Sequence, residues 1–144
     1  MLHLDLGLAL RDQAGLNKFL ADVYRPGSPN YRHFLTPQEF TRRFGPTPQD
    51  YATVVAFAQR HGLTVTGGNI DRRIVQVAAP VSTVEAAFGI TMRTYQHPTE
   101  ARNFYAPDRE PSTDLPFKLW HISGLDNFST PPPHLKSKAA ANAL

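Results

Sequence analysis

The six histidines are the first residues whose type suggests chemistry, because imidazole binds metal ions and exchanges protons near neutral pH. They stand at positions 3, 33, 61, 97, 121 and 134. No two of them have the i, i+4 spacing that places two ligands on one helix face, and they form no cluster in the sequence. The chain also has no cysteine, which excludes disulfides and zinc–thiolate sites. The pattern therefore predicts no metal site.

Nucleophilic and phosphate-binding motifs are missing as well. Ser112 and Ser123 lie outside any G-x-S-x-G turn, and no glycine-rich loop opens a helix with a following lysine. The acidic residues have positions typical of strand surfaces, helix caps and turns rather than of an acid/base pair. Those residues are Asp5, Glu39, Asp50, Asp71 and Glu85. We therefore expect no catalytic residues in this chain.

The N-terminal half alternates between clear strand and helix patterns. Leucines occupy every second position from Leu2 to Leu10, which predicts a strand with all leucines on one side. An apolar stripe predicts a helix over Ala14–Tyr24. Thr36-Pro37 with Glu39, and Thr47-Pro48 with Asp50, are capping-box starts of two further helices. We expect the first to end near Phe44 and the second near Gly62.

Shorter elements follow. Leu63–Thr66 and Arg72–Ala78 are predicted strands, joined by Gly67, Gly68 and Asn69 in a hairpin turn that needs positive φ. Ser82 and Glu85 predict a third capping box, on a helix that Gly89 ends in the left-handed conformation. Thr91–Gln96 is the last predicted strand of the sheet.

This order of elements predicts an α+β fold, a ferredoxin-like antiparallel sheet with helices on one face. Prolines break the chain after Gln96, and we expect the apolar stretch Phe117–Ile122 to strap over the domain. We place the domain at residues 1–128. We expect residues 129–144, which contain proline, alanine and lysine without an apolar period, to form an extended linker or tail.

Composition narrows the class of partner. The chain has 144 residues, 41% of them hydrophobic, which suits one buried core. Polar side chains interrupt every apolar run, so no membrane span is predicted. The net charge is +3, but Lys136 and Lys138 in the tail supply two of these charges. A nucleic-acid-binding sheet using Tyr95, Phe104 and Tyr105 is a distant alternative, because the basic-aromatic run of RNA-binding sheets is missing.

Several segments together resemble a known family. Pro26–Phe40 reads PGSPNYRHFLTPQEF, and Phe44–Asp50 reads FGPTPQD. Further matching pieces are HGLTV at 61–65, VEAAFG at 84–89, TYQH at 94–97, NFYAP at 103–107 and SGLDN at 123–127. In this order they resemble the pro-kumamolisin activation domain, the propeptide of sedolisin-family serine-carboxyl peptidases. The resemblance covers essentially Leu2–Asn127.

This resemblance implies a subtilisin-propeptide-like domain that assists the folding of a following peptidase domain in cis and blocks its cleft. The family's catalytic residues and calcium site belong to that downstream domain, so the chain itself is expected to be inactive and to need no cofactor. A secreted or periplasmic location is also implied, although no leader pattern follows Met1. The resemblance also implies that the propeptide is removed by proteolytic processing at acid pH.

The docking surface can be predicted from the sheet. If helices cover one face, the other face carries His3 and Asp5 of the first strand. Gln76, Arg93 and Tyr95 are candidates for the same face. We expect this face to contact the peptidase, or to self-associate in the isolated domain.

The tail and two histidines complete these expectations. The tail is expected to enter the peptidase cleft as an extended strand. Candidate processing positions are His134, Leu135, Lys136, Ser137 and Lys138. The candidate pH sensors are His3 and His33. A free-standing peptidase inhibitor or interaction domain of the same fold is the main alternative function.

Overall fold

The computed structural model describes residues 1–129, which contain four helices and six strands. The candidate processing positions His134 to Lys138 lie outside the described residues. The elements in chain order are β1 (Leu2–Gly7), α1 (Gln13–Val23), α2 (Pro37–Phe44), α3 (Pro48–Arg60), β2 (Thr64–Gly68), β3 (Ile74–Ala79), α4 (Val81–Phe88), β4 (Met92–Gln96), β5 (Asn103–Pro107) and β6 (His121–Ser123).

A four-stranded antiparallel sheet with the order β2-β3-β1-β6 forms the centre of the fold. Its inner face carries Leu4 and Leu6 of β1, opposite Val77 and Val75 of β3. All four side chains are buried. Their burial stabilises the fold by about 25 cal/mol for each Å² of apolar surface removed from water. Helices α3 and α4 contribute to the same core cluster through residues such as Phe57 and Phe88. The predicted ferredoxin-like α+β class with helices on one face is therefore confirmed.

The fourth strand of the sheet is not the predicted one. Thr91–Gln96 does form a strand, β4, but it pairs with β5 in a separate two-stranded ribbon. The place beside β1 is taken by β6, which overlaps the end of the predicted strap Phe117–Ile122. The region of β6 takes this place because it contributes more apolar side chains to the core than β4 does. From β4 the core receives Met92, whereas the β6 region supplies Leu119 and Ile122.

Two of the three predicted capping boxes are confirmed. The Thr36 amide donates to Glu39 Oε2 (2.8 Å), and the Glu39 amide donates to Thr36 Oγ1. Thr47 and Asp50 repeat this exchange at the start of α3. The third prediction is wrong, because α4 begins at Val81 after Pro80 without a side-chain cap.

Glu85, the acid of that third box, has another use. Its Oε1 accepts a hydrogen bond from the backbone amide of Met92 (2.7 Å), which ties α4 to the start of β4. The predicted left-handed end of the helix is confirmed, since Gly89 has φ +63°.

The β2–β3 turn also differs from the prediction. Gly67 and Gly68 belong to β2, and the residue with positive φ is Arg72 (φ +60°). Its Nε donates to the carbonyl oxygen of Pro46 (3.0 Å), which helps to hold this unfavourable conformation. Glycine at 68 serves close packing instead, because a Cβ there would lie 2.1 Å from Tyr51 Oη.

The signature segment Pro26–Phe40 connects α1 to α2 and serves the packing of these two helices. They enclose a second, smaller core of Leu16, Phe19, Val23 and Phe44, against which Leu35 and Phe40 of the signature pack. Arg11 supports the C-terminal end of α2, where its guanidinium donates to the carbonyl oxygens of Gly45 and Arg42 (both 2.6 Å). Packing against this second core therefore explains Leu35 and Phe40 of the signature.

Candidate partner interface

The outer face of the central sheet is the surface opposite the core. It presents His3, Asp5, Gln76, His121 and Ser123, and we use "outer face" for these five residues and the backbone between them. Each alternates along its strand with a side chain that packs in the main core or against it. All are exposed except Asp5, which is partly buried.

A row of polar contacts crosses the middle of the outer face. Asp5 lies opposite Gln76 on one side and Ser123 on the other. Gln76 Nε2 donates to Asp5 Oδ1 (3.3 Å). Gly67 follows in the same row, and its missing side chain leaves room for Gln76, whose Oε1 would lie 2.8 Å from a Cβ at that position. The row is therefore held in place without bulky side chains.

His121 and Ser123 form the other end of this surface. His121 Nε2 lies 2.9 Å from Ser123 Oγ. The imidazole covers the backbone of Gly7, where a Cβ would be 2.8 Å from His121 Nδ1. Nδ1 thus faces a glycine backbone, whereas in a catalytic triad a carboxylate holds this nitrogen. We interpret the pair as a surface contact.

The structure separates the predicted interface residues into two groups. His3, Asp5 and Gln76 lie together on the outer face as predicted. Arg93 and Tyr95 do not share this surface, because they belong to β4 in the two-stranded ribbon. The error follows directly from the misassigned fourth strand. His121 and Ser123 take the place that Arg93 and Tyr95 were expected to fill.

The two candidate pH sensors are exposed. His3 lies on the outer face, and His33 lies in the signature segment near Glu39. The pKa of Glu39 is lowered, mainly because its carboxylate accepts the capping hydrogen bond from the Thr36 backbone, with smaller contributions from other groups that include His33.

The ribbon holds a buried histidine that the sequence did not single out. His97 is 7% exposed and follows β4 directly. Its Nδ1 accepts hydrogen bonds from the backbone amides of Glu100 (3.1 Å) and Thr99 (3.3 Å). The only sequence signal was its place in the TYQH piece, which does not distinguish a buried ring from an exposed one.

Aromatic rings surround His97. Its ring stacks on Phe128 with centroids 4.6 Å apart, and it meets the edge of Phe104 at 5.9 Å. Phe104 in turn stacks on Tyr95 at 5.4 Å. Tyr95 and Phe104 are thus already used in packing within the chain, which argues against a role as a platform for nucleic-acid bases.

The Asp108 carboxylate, whose pKa is strongly lowered, connects the start of the ribbon with its end. The pKa of Asp108 is lowered to about 2 by the side-chain hydrogen bond from Arg109 and, next, by the backbone amide of Thr91. That amide donates to Asp108 Oδ1 at 2.8 Å. The carboxylate stabilises the ribbon and is not positioned for proton transfer.

The described residues contain neither a metal-binding cluster nor a membrane-spanning helix. Within 1–129, His, Asp and Glu side chains nowhere gather in a group of three or more that could hold a metal ion. No helix in the part of the chain that the structure describes is long and apolar enough to cross a bilayer.

Comparison with known proteins assigns the class. The family model for the pro-kumamolisin activation domain matches residues 1–128, and the chain belongs to this family. This membership supports a propeptide role.

Three curated relatives cover almost the whole chain. Xanthomonalisin from Xanthomonas sp. (strain T-22) is 27% identical over 97% of the chain. Kumamolisin from Bacillus sp. (strain MN-32) is 28% identical over 96%, and sedolisin from Pseudomonas sp. (strain 101) is 27% identical over 99%. The chain spans 19%, 25% and 24% of their respective lengths. It therefore corresponds to a minor part of each relative.

Proposed function

We propose that this chain is the propeptide of a secreted, acid-active serine-carboxyl endopeptidase, and that it assists folding of the peptidase domain and inhibits it until acid processing. Family membership supports the propeptide role, and the exposed outer face supports docking on a partner. The chain contributes no catalytic residue in this proposal. Catalysis and calcium binding belong to the peptidase domain.

The outer face is the observation that carries the docking step. It is a row of small and polar groups on the central sheet, with the core directly beneath it. Asp5 and Gln76 are held by each other, so little side-chain freedom is lost when a partner covers them. A surface of this kind fits the backbone and helix ends of another protein better than a small molecule.

Inhibition then requires the tail to reach the cleft of the peptidase. We propose that residues beyond Ser129 enter it as an extended strand and that cleavage falls within His134–Lys138. Backbone hydrogen bonds to an enzyme cleft are a common mode of extended peptide recognition. Processing would separate the domain from the peptidase.

The test combines the natural reading frame with an inhibition assay. If the frame continues past Leu144 into a serine peptidase domain, that domain is expressed with and without this chain in trans. We expect the chain to raise the yield of active peptidase on refolding, and to inhibit it more strongly at pH 7 than at pH 4. A frame that ends at Leu144 would favour the free-standing inhibitor instead.

Two matched variants localise the docking surface. Gln76→Arg places a long cation in the middle of the outer face, and Gln38→Arg makes the same change on the exposed surface of α2. We expect Gln76→Arg to weaken inhibition about tenfold or more, equivalent to about 1.4 kcal/mol, and Gln38→Arg to leave it unchanged. Equal inhibition constants for the two variants would refute docking through the outer face.

A further inference from the structure

The last described residues, Leu125–Ser129, are held against the β4–β5 ribbon, and we call them the exit segment. The Asn127 amide donates to the carbonyl oxygen of Tyr105 (3.3 Å), and Asn127 Oδ1 accepts from the Tyr105 amide (2.7 Å). Arg102 donates to the carbonyl oxygens of Asn127 and Phe128. The exit segment therefore lies beside β5 and is joined to it at Tyr105.

His97 is in direct contact with this segment. Phe128 stacks on one face of the imidazole, and Phe104 packs against both rings. Any displacement of the buried ring must therefore displace Phe128 or leave a gap beside it.

The hydrogen bonds of His97 determine where its protons lie. Since Nδ1 accepts from two backbone amides, the neutral ring must carry its proton on Nε2. A second proton can only go to Nδ1, where it would face the two backbone N–H donors and the Thr99 hydroxyl, which lies 3.4 Å away. Protonation thus removes the two backbone hydrogen bonds and places donors against each other, and the long contact to Thr99 Oγ1 is the single exchange available to the new N–H.

Glu100 is the charged group that opposes this effect, because its carboxylate attracts an imidazolium, and Arg102 limits that attraction. Glu100 Oε1 lies 3.7 Å from Nε2, but the other oxygen of that carboxylate is bound by Arg102. The pKa of Glu100 is lowered, chiefly by the Arg102 hydrogen bond, which favours its ionised form. An imidazolium would compete with Arg102 for one carboxylate. Asp126 on the exit segment accepts from the Phe128 amide, and Phe104 and Phe128 carry no charge.

We propose that His97 is an acid-sensitive latch: protonation of its Nδ1 releases the 99–100 loop and, through Phe128 and Arg102, loosens the exit segment. Histidine is the side chain that most often serves as a proton-driven switch in proteins. The latch is a property of this chain alone. Only its use, to make the following linker accessible to processing in acid, rests on the proposed function.

The first experiment measures amide exchange protection factors by NMR on the 144-residue chain at pH 7 and pH 5. We expect the protection of Thr99 and Glu100 to fall about twenty-five-fold at pH 5, from about fivefold for each of two lost hydrogen bonds. The amides of Tyr105 and Asn127 should lose protection in parallel, while Val75 in the central sheet keeps its value. Unchanged protection of Thr99 and Glu100 would overturn the proposal.

Matched variants assign the effect to one ring. In His97→Asn, the side-chain oxygen can accept from the same loop amides but does not titrate, so protection should no longer depend on pH. His33→Asn removes an exposed histidine and should behave like the wild type. The same loss of protection in His97→Asn at pH 5 would refute the latch.

A measurement on the unaltered protein covers the case in which His97→Asn fails to fold. The ¹⁵N chemical shifts of the His97 ring at pH 7 should report a proton on Nε2 and none on Nδ1. A proton on Nδ1 at neutral pH would contradict the hydrogen bonding on which the latch depends. Inhibition of a peptidase is not measured in either experiment, so failure of the latch and failure of the proposed function are separate results.

Discussion

Replacing Leu6 by alanine tests the assignment of the two faces of the central sheet. Leu6 is 0% exposed and lies between Val75 of β3 and Ile122 of β6. Because strands flank Leu6 on both sides, the structure can close only partly around a smaller side chain. The remaining cavity adds to the loss in the free energy of unfolding. We expect the free energy of unfolding to fall by about 3–4 kcal/mol.

Leu20→Ala is the matched control, because it removes the same atoms from a side chain that is 46% exposed on α1. We expect it to cost about 1 kcal/mol or less. An unfolding entropy of about 2.1 cal/mol/K per residue gives a Leu6→Ala decrease in Tm of about 11–15 °C for the described residues.

Urea denaturation followed by circular dichroism gives both values, with similar m-values expected for all three proteins. If Leu6→Ala does not fold, Leu6→Val still tests the site, with an expected cost of about 1 kcal/mol. A cost below about 1 kcal/mol for Leu6→Ala, or equal costs for Leu6→Ala and Leu20→Ala, would refute the assignment of faces.

Three further predictions concern local geometry and pH. Thr47→Ala should lower the free energy of unfolding by about 1 kcal/mol because it removes a cap, whereas Ser82→Ala should change it by less than about 0.5 kcal/mol; equal urea midpoints would contradict this difference. Gly124→Ala should cost several kcal/mol or prevent folding, because its Cβ would lie 2.2 Å from a β1 carbonyl oxygen, while Gly27→Ala has free space and should cost only about 1–2 kcal/mol for its positive φ. Asp108 has its pKa lowered to about 2, so its ionised form stabilises the fold above the unfolded pKa of about 3.9, and this contribution is lost as pH falls toward 2. The Tm of Asp108→Asn should therefore lie below wild type at pH 6 and converge with it near pH 2; a difference that stays constant would contradict the assignment.

The sequence predicted those elements whose signals are local. Alternating leucines identified β1 and its buried side, and the two Thr-Pro capping boxes located the starts of α2 and α3. In each case the residues that carry the signal also make the decisive contacts. The same holds for Gly89, whose left-handed conformation depends only on the end of its own helix.

Features that depend on competition between distant segments were not predictable. Thr91–Gln96 and the region of β6 can both form strands, and the choice between them beside β1 depends on how well each fills the core. Because the prediction chose the wrong strand, it placed Arg93 and Tyr95 on the outer face and did not include His121 and Ser123. Burial of His97 likewise depends on Phe128, about thirty residues further along the chain.

The position of β6 has a consequence for the order of folding. Strand β1 lies near the start of the chain and its neighbour β6 near the end of the described residues, so their pairing closes a loop of nearly the whole domain. Contacts of such long sequence separation form slowly, because chain entropy is lost before they contribute. During synthesis on the ribosome, the β6 side of β1 must therefore stay open until Ser123 has left the exit tunnel.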